Sequence, residues 1–354
     1  MYLQTLSLQN FRSYTKKSFE FSKTTTLIIG PNTVGKTNIL EAIMMLSLAK
    51  SWRAQTTQDL IKYDQELARI IGLVSNDDSE LNLEIVLTPG LVQGRKTSPK
   101  LFKINGVGKR RVDFSGNLLT VKFGPEDINL ILGSPGRRRD WLDYVLEQID
   151  VDYRRSNLAY MKGLRNRNRL LQMIRDVRAQ AYQLEFWNRL LIKNGEIITR
   201  KRQELIGQIN LYWQNHEDQA WHNLLLGYDQ STITSQRLET YKDAEIASGV
   251  TLIGPHRDDI KFQVEKRDLA LFGSRGEQRM MILALKMAEL ECVATKMGIR
   301  PLLLLDDIFS ELDHNHRHEV LQVLGKQQTI MTTTDVHLVE KNFLDKIEII
   351  KLGG

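Results

Sequence analysis

Residues 30–37 have the pattern of a phosphate-binding loop. They read Gly-Pro-Asn-Thr-Val-Gly-Lys-Thr and fill every fixed position of G-x-x-x-x-G-K-[ST]. Such glycines let the backbone wrap around phosphate oxygens, so that successive N–H groups and the next helix N-terminus face the anion. The Lys36 ammonium would then reach the β- and γ-phosphates, and the Thr37 hydroxyl would hold Mg²⁺. The alternative is a glycine-rich turn at the start of a helix. The predicted nucleotide-binding residues of the loop are Gly30, Pro31, Asn32, Thr33, Val34, Gly35, Lys36, Thr37 and Asn38.

Two carboxylates follow a run of leucines in the last sixth of the chain. The leucines at 302–305 are typical of a parallel strand buried on both faces, and Asp306 and Asp307 come directly after them. Open α/β sheets bind ligands at the carboxyl ends of their strands. We therefore predict that Asp306 binds Mg²⁺ and that Asp307 polarises an attacking water. An acidic strand end can also be only a loop start or a helix cap.

A third motif precedes an apolar stripe that predicts a long helix over 277–297. Ser274 and Glu277 have the S-x-x-E spacing of a capping box. The segment can be a helix cap alone. It can also bind a phosphate, because exposed N–H groups, a hydroxyl and the positive end of a helix meet there.

Basic residues are concentrated in two segments. Residues 153–178 carry eight Lys/Arg and one acidic residue, and residues 94–111 carry seven Lys/Arg and no acidic residue. The rest of the chain has 34 basic and 42 acidic residues, although the net charge of the whole chain is +6. This distribution predicts a polyanionic partner, while solvated helix faces remain the alternative. The predicted DNA-binding residues are Arg154, Arg155, Lys162, Arg165, Arg167 and Arg169.

The pattern of elements predicts an α/β domain that is interrupted by a helical insertion. Lys36 and Asp306 are 270 positions apart, far more than one β-α-β crossover needs. Apolar residues recur at helical spacing between 125 and 245, whereas the first third reads as strands, with a hinge at 123–125. We predict a first part of an ATPase domain at 1–124, a helical lobe at 125–245 and a second part of the ATPase domain at 246–354.

Composition excludes several classes of protein. Cys292 is the only cysteine, so neither an intrachain disulfide nor a cysteine-based zinc site can form. No apolar run approaches the ~18 residues that a membrane span requires, and the N-terminal residues alternate in polarity, unlike a signal peptide. The expected location is the cytoplasm.

The order of these motifs resembles that of ABC-type ATPases, and the large insertion resembles the structural-maintenance-of-chromosomes branch. Further segments narrow the resemblance: residues 10–14 (Asn-Phe-Arg-Ser-Tyr), 123–127 (Phe-Gly-Pro-Glu-Asp), Arg137-Arg138 with Leu142-Asp143, 254–259 (Gly-Pro-His-Arg-Asp-Asp), 274–277, 305–307 and 310–313 (Ser-Glu-Leu-Asp). With these segments the chain is similar to the RecF family of bacterial recombination mediators.

The resemblance implies an ATP-dependent DNA-binding protein of recombinational repair and replication. Two chains would dimerise head to head around two ATP molecules with Mg²⁺, hydrolyse ATP slowly, and act at single-stranded or gapped DNA with RecO and RecR to load RecA. Ser274 and Gly276 of one chain would cap the γ-phosphate that Lys36 of the other chain holds, so Asp307, Lys36 and Ser274 are the expected catalytic residues. Arg12 would approach the phosphates, and Glu126 and Thr334 would occupy switch positions.

Two departures from the wider ABC pattern accompany this resemblance. Arg275 and Glu277 stand where transporter ATPases place Gly and Gln, and residues 332–335 carry no switch histidine; His337 is expected at the surface. The alternative functions are the ATP-binding subunit of a transporter and a nuclease linked to such an ATPase. A nuclease needs a separate carboxylate cluster, and Asp258-Asp259, the nearest candidate, is interpreted as an acidic pair at a strand start with a structural or interface use.

Overall fold

A computed structural model shows the fold and describes residues 1–76, 79–92, 94–310, 320, 324–338, 344 and 347–353. It divides the chain into two compact units. The first unit comprises Met1–Asp127 and Glu289–Gly354, and the second comprises Ile128–Ala288. Among the described residues, no helix is both long and apolar enough to cross a membrane.

Most of the described strands belong to the first unit, and most of the described helices belong to the second. The strands are β1 (Tyr2–Phe11), β2 (Tyr14–Glu20), β3 (Thr25–Ile29), β4 (Ala68–Asn76), β5 (Ser79–Leu87), β6 (Leu91–Val92), β7 (Arg95–Lys96), β8 (Lys100–Ile104), β9 (Val107–Lys109), β10 (Thr120–Phe123), β11 (Leu224–Asp229), β12 (Asp259–Val264), β13 (Arg267–Asp268), β14 (Leu302–Asp306), β15 (Thr329–Thr333) and β16 (Glu348–Lys351). The helices are α1 (Lys36–Leu48), α2 (Arg111–Phe114), α3 (Asn129–Leu132), α4 (Pro135–Ile149), α5 (Val151–Arg175), α6 (Leu184–Gln214), α7 (Ser235–Thr240), α8 (Lys242–Ser248), α9 (Leu269–Phe272) and α10 (Arg275–Met297).

The first unit contains an antiparallel sheet with the strand order β2-β1-β4-β5-β8-β9. Leu3, Leu6 and Leu8 of β1 are buried, as are Ile70 of β4 and Ile85 of β5. Apolar and polar residues alternate along these strands because one face of the sheet packs inward. The strands that the sequence predicts in this part of the chain are confirmed.

The first unit also contains a parallel sheet with the order β10-β14-β15-β3-β16. Strand β14, which pairs with β10 on one side and β15 on the other, is buried along its whole length, as the leucines at 302–305 predict. Because all five strands run in the same direction, their carboxyl ends meet at one edge. That edge brings the loop after β3 next to the acidic end of β14.

The second unit is built around the antiparallel pair of long helices α5 and α6, with α4 packed against them. It also contains a small sheet, β11-β12-β13, whose first strand lies inside the predicted helical lobe. A short apolar run such as Leu224-Leu225-Leu226 fits a strand as well as a helix, so periodicity could not identify β11.

The second unit continues beyond residue 245, the predicted end of the lobe, to Ala288. Two contacts explain this. β11 pairs with β12 across the predicted boundary, and Nε1 of Trp213 on α6 donates a 3.0 Å hydrogen bond to the carbonyl of Ala284 on α10. The boundary between the units therefore falls within α10.

Acidic residues of the second unit hold buried arginines in place. Asp258 accepts from Arg202 at 3.0 Å, and Asp259 accepts from Arg138 at 2.6 Å. Asp258 is fully buried, and a buried charge requires such a partner. The structural use of Asp258 and Asp259 is confirmed, and an interface use stays a prediction.

Candidate functional site

The loop between β3 and α1 requires glycine at both of its fixed glycine positions. Gly35 has a φ of 105°, and a Cβ atom there would lie 2.8 Å from the Oγ of Ser13 and 2.9 Å from the hydroxyl of Tyr14. A Cβ at Gly30 would lie 2.9 Å from the carbonyl oxygen of Leu352. The N-terminal hairpin and the C-terminal strand thus enclose the loop, and Tyr14 donates a hydrogen bond of 3.2 Å to the Gly35 carbonyl.

Lys36 folds back into the hollow of this loop. Its Nζ donates to the carbonyl oxygens of Gly30 at 2.6 Å and Pro31 at 3.0 Å. Desolvation lowers the pKa of Lys36, and the negative charges of Asp307 and Asp306 oppose that shift. The side chain is therefore a buried cation held between loop carbonyls and two carboxylates, and it is positioned to face an anion.

Asp306, at the end of β14, accepts hydrogen bonds from two threonine hydroxyl groups. Its Oδ1 accepts hydrogen bonds from Thr37 at 3.2 Å and from Thr332 at 2.8 Å. Oxygen donors of this kind suit Mg²⁺. In proteins this ion usually keeps several waters and is bound by one or two carboxylates together with the phosphates of the substrate. No group of three or more His, Cys, Asp or Glu side chains forms a metal cage among the described residues. The set of Thr37 and Asp306 fits an ion whose remaining ligands come from phosphate and water.

Asp307 has a left-handed backbone with a φ of 50°. Its N–H donates to the carbonyl oxygen and to the hydroxyl of Thr332, both at 3.1 Å. These bonds fix the turn that directs the chain away from β14. Thr332 therefore holds the carboxylate of Asp306 and the backbone of Asp307, a role that the sequence did not reveal. Thr334 is exposed, and its role as a switch stays a prediction; His337 is exposed, as expected.

The segment after β10 reaches the same edge of the sheet. A Cβ at Gly124 would lie 3.4 Å from the Cβ of Asp306 and 3.0 Å from the Nζ of Lys122. Lys122 forms an ion pair with Glu126, and its ammonium lies 5.1 Å from the ring centroid of Trp52. Glu126 thus lies close to the acidic strand end, and Lys122 and Trp52 are neighbours that no motif identified.

Arg12 lies beside the loop but its guanidinium is already paired. It donates to both oxygens of the buried Glu41, at 2.9 and 2.7 Å, and to the carbonyl of Asp59 at 2.6 Å. The bidentate pair anchors the turn between β1 and β2 to α1. A contact of Arg12 with nucleotide phosphates stays a prediction.

Ser274 and Glu277 form the predicted capping box of α10, in the second unit. The Ser274 N–H donates to the Glu277 carboxylate at 2.8 Å, and the Glu277 N–H donates to the Ser274 hydroxyl at 3.2 Å. These bonds lower the pKa of Glu277. Ser274 is exposed, and a Cβ at Gly276 would meet nothing within 4 Å. The helix end is thus open to a ligand, and its role in capping a phosphate stays a prediction.

The predicted DNA-binding residues of α5 separate into three groups. Arg155, Lys162, Arg165 and Arg169 are exposed on one face of the helix. Arg154 is half-buried and donates to the carbonyls of Glu147 and Gln148.

Arg167 is a correction to that prediction. It is 1% exposed and donates to Glu245 at 2.7 Å, Thr251 at 2.8 Å and Asn188 at 2.8 Å. A guanidinium enclosed in this way cannot reach a DNA phosphate. The number of basic residues in a segment does not show which of them are buried, so the burial of Arg167 could not be predicted from charge.

One part of the motifs lies outside the described residues. The Glu311-Leu312-Asp313 segment that follows the acidic strand end belongs to that part of the chain.

Comparison with known proteins identifies the family. The family model described as "RecF/RecN/SMC N terminal domain" matches residues 2–351. A DNA replication and repair protein RecF from Geobacillus sp. (strain WCH70) is 35% identical, with 99% of this chain and 97% of the relative aligned. The chain belongs to the RecF family. A second member, from Thermosynechococcus vestitus, is 34% identical over 99% of this chain and 96% of its own length.

Solved structures of RecF proteins share the fold. The structure described as "Structure of the recombination mediator protein RecF-ATPrS in RecFOR pathway" has a TM-score of 0.85 and 32% identity, covering 99% of this chain and 96% of that one. The corresponding RecF-ATP structure also has a TM-score of 0.85, at 33% identity over 96% and 93% of the two chains. An Smc head domain from Pyrococcus furiosus has a TM-score of 0.51 at 18% identity, over 99% and 93%, and shows the fold alone. The predicted family and fold class are confirmed, and the RecF family is one of ABC-type ATPases.

Proposed function

We propose that this protein is an ATP-dependent DNA-binding protein of recombinational repair and replication, and that ATP acts as its dimerisation switch. The observation that carries the proposal is the meeting of Lys36, Thr37, Asp306 and Asp307 at one edge of the parallel sheet. Relatives named as DNA replication and repair proteins, and a RecF-ATP structure, support ATP as the nucleotide and DNA as the partner.

In the proposed mechanism the loop binds the nucleotide through its backbone N–H groups and Lys36. The Lys36 ammonium exchanges the carbonyls of Gly30 and Pro31 for the β- and γ-phosphate oxygens. Thr37 and Asp306 would hold Mg²⁺, which would neutralise phosphate charge. Asp307 orients the attacking water and accepts its proton. These residues can position the reacting groups within one chain.

A second chain completes the proposed site. Ser274 and Gly276 at the open end of α10 cap the γ-phosphate of the nucleotide that the partner holds, with the positive end of the 23-residue helix aimed at the anion. Hydrolysis removes the group that both chains bind, so the dimer separates. We infer slow hydrolysis stimulated by DNA, because a switch must persist long enough to act.

The proposed DNA surface is the exposed face of α5. Its cations are Arg155, Lys162, Arg165 and Arg169, and no acidic residue lies between 155 and 169. Contacts of this type bind phosphates and position the duplex without reading its sequence. The description "RecFOR pathway" of a relative further supports RecO and RecR as partners, and the proposed role of the three proteins is to load RecA.

Sedimentation in the presence of gapped DNA tests the proposal. The protein should sediment as a monomer without nucleotide or with ADP, and as a dimer on DNA with ATP and Mg²⁺. The dimer should persist longer in Asp307→Asn, because that variant binds ATP without activating water. An unchanged monomer under all nucleotide conditions would contradict the switch.

A further inference from the structure

The tip of the α5–α6 hairpin exposes two aromatic side chains. Tyr182 is 77% exposed and lies in the short turn before α6, and Phe186 is 60% exposed and lies in the first turn of α6. Trp187 packs its ring edge-on against Phe186, with centroids 4.9 Å apart and planes at 81°. Phe186 is thereby held by a neighbouring ring while it stays open to solvent. Contiguous exposed apolar surface marks binding sites more often than scattered apolar residues do.

Basic side chains share a face of α6 with Phe186 and flank the tip. Arg189 and Lys193 follow three and seven positions after Phe186, and both are exposed. Arg175 and Arg178 lie at the end of α5 and in the turn. Their acidic neighbours are Asp176, which pairs with both arginines, and Glu185, which pairs with Arg189 at 3.4 Å. Pairs this exposed contribute little and can open for another anion.

The turn itself carries an unusual residue. Val177 is 90% exposed and has a φ of 59°, in the left-handed region that glycine normally occupies at a helix end. A β-branched residue is strained there, and its apolar side chain gains nothing from solvent. The tip therefore presents apolar and aromatic groups that the folded unit does not use.

We propose that this tip binds single-stranded DNA, with bases stacked on Tyr182 and Phe186 and phosphates held by Arg189 and Lys193. The proposal rests on the proposed DNA-binding function and assigns it a second contact, distinct from the exposed face of α5. Exposed rings beside a line of cations are the combination that binds single strands, because every unpaired base has a π-face. Closed duplex keeps its bases inside the helix and cannot use the rings. If the rings instead bound a protein partner, removing them would not weaken binding of single-stranded DNA.

The test measures fluorescence anisotropy of a labelled oligothymidylate and of a blunt-ended duplex. Tyr182→Ala and Phe186→Ala should each bind the oligothymidylate roughly 5- to 100-fold more weakly and bind the duplex unchanged. Tyr182→Phe and Phe186→Tyr keep the stacking surface and should keep the affinity. Arg189→Gln and Lys193→Gln should each reduce the salt dependence on single strands by ~0.7 log units per log unit of salt.

Controls and outcomes separate this inference from the proposed function. Tyr63→Ala removes an exposed aromatic ring from the first unit, and Leu211→Ala removes an exposed apolar side chain from the other end of α6; neither should change binding. If the parental protein binds oligothymidylate and the Tyr182→Ala/Phe186→Ala variant binds it equally well, the stacking site is wrong while DNA binding stands. An equal loss on duplex and single strand would also overturn it. Failure of the parental protein to bind either DNA would reject the proposed function itself.

Discussion

At the scale of single residues, Lys36 provides the positive charge with which the loop would bind the phosphates of ATP. Lys36→Ala should abolish most ATP affinity, because the ammonium is the loop's side-chain charge on the β- and γ-phosphates. The folded protein gives up only two hydrogen bonds to loop carbonyls, so the free energy of unfolding should fall by only about 1–3 kcal/mol. Calorimetric titration with ATP measures the affinity, and Lys16→Ala on the exposed face of β2 is the matched control. Unchanged ATP affinity in Lys36→Ala would rule out this site.

Asp306 and Asp307 should separate metal binding from catalysis. Asp307→Asn removes the base but keeps the backbone, because asparagine tolerates the left-handed conformation that Asp307 adopts. We expect normal ATP binding and hydrolysis reduced by roughly 10²–10⁴-fold. Asp306→Asn should instead weaken ATP binding only when Mg²⁺ is present. Phosphate release and nucleotide titration with and without Mg²⁺ measure the two effects.

A matched control exists for these substitutions. Asp64 is exposed, lies in the same unit and has a φ of 60°, so Asp64→Asn makes the same chemical change on the same backbone conformation. It should hydrolyse ATP at the parental rate. Parental turnover by both Asp306→Asn and Asp307→Asn would mean that the acidic strand end is not catalytic.

At the scale of elements, the exposed face of α5 should set how DNA affinity depends on salt. Replacing Arg155, Lys162, Arg165 and Arg169 by Gln should weaken binding to all duplex sequences about equally. For each cation that neutralises a phosphate, its removal should lower the slope of log affinity against log salt by about 0.9. Anisotropy titrations over a range of salt concentrations measure both quantities. If the variant with all four substitutions showed the same slope of log affinity against log salt as the parental protein, this face would be only solvated.

Arg167 on the same helix should behave differently. Arg167→Ala leaves the fully buried Glu245 without its cation, so we expect a loss of about 3–5 kcal/mol in the free energy of unfolding. Arg169→Ala, two positions away and exposed, should change stability by less than about 0.5 kcal/mol. Chemical denaturation compares the two. Equal stabilities would mean that the buried pair does not contribute to the fold.

The contrast between Arg167 and Arg169 shows where sequence reasoning stops. The loop, the leucine strand and the capping box were predictable because local spacing determines each of them. Thr332, Lys122 and Leu352 were not, since they reach the site through the order of strands in the parallel sheet. The burial of Arg167 could not be predicted for a similar reason, because its partner Glu245 lies 78 positions away in sequence.

At the scale of the whole molecule, the question is whether two chains complete one site. If Ser274 only caps α10, its replacement costs about 1 kcal/mol of stability and leaves ATP-dependent assembly intact. If it also caps the γ-phosphate of the partner, Ser274→Arg should bind ATP as a monomer but fail to dimerise. Analytical ultracentrifugation with ATP distinguishes these results. Arg267→Gln, which removes an exposed partner of Glu277 without touching the serine, is the matched control.

Mixing two defective chains gives a stricter test of the same geometry. In a dimer of Ser274→Arg with Lys36→Ala, one composite site combines the intact Lys36 with the intact Ser274, while the other site carries both defects. Association in ATP should therefore partly recover in the mixture, although neither variant dimerises alone, because one occupied site can hold two chains together. Differently labelled chains allow the mixed species to be counted by fluorescence energy transfer. Normal dimerisation of Ser274→Arg by itself would refute capping between chains, and so would a mixture that stays monomeric while each chain remains folded.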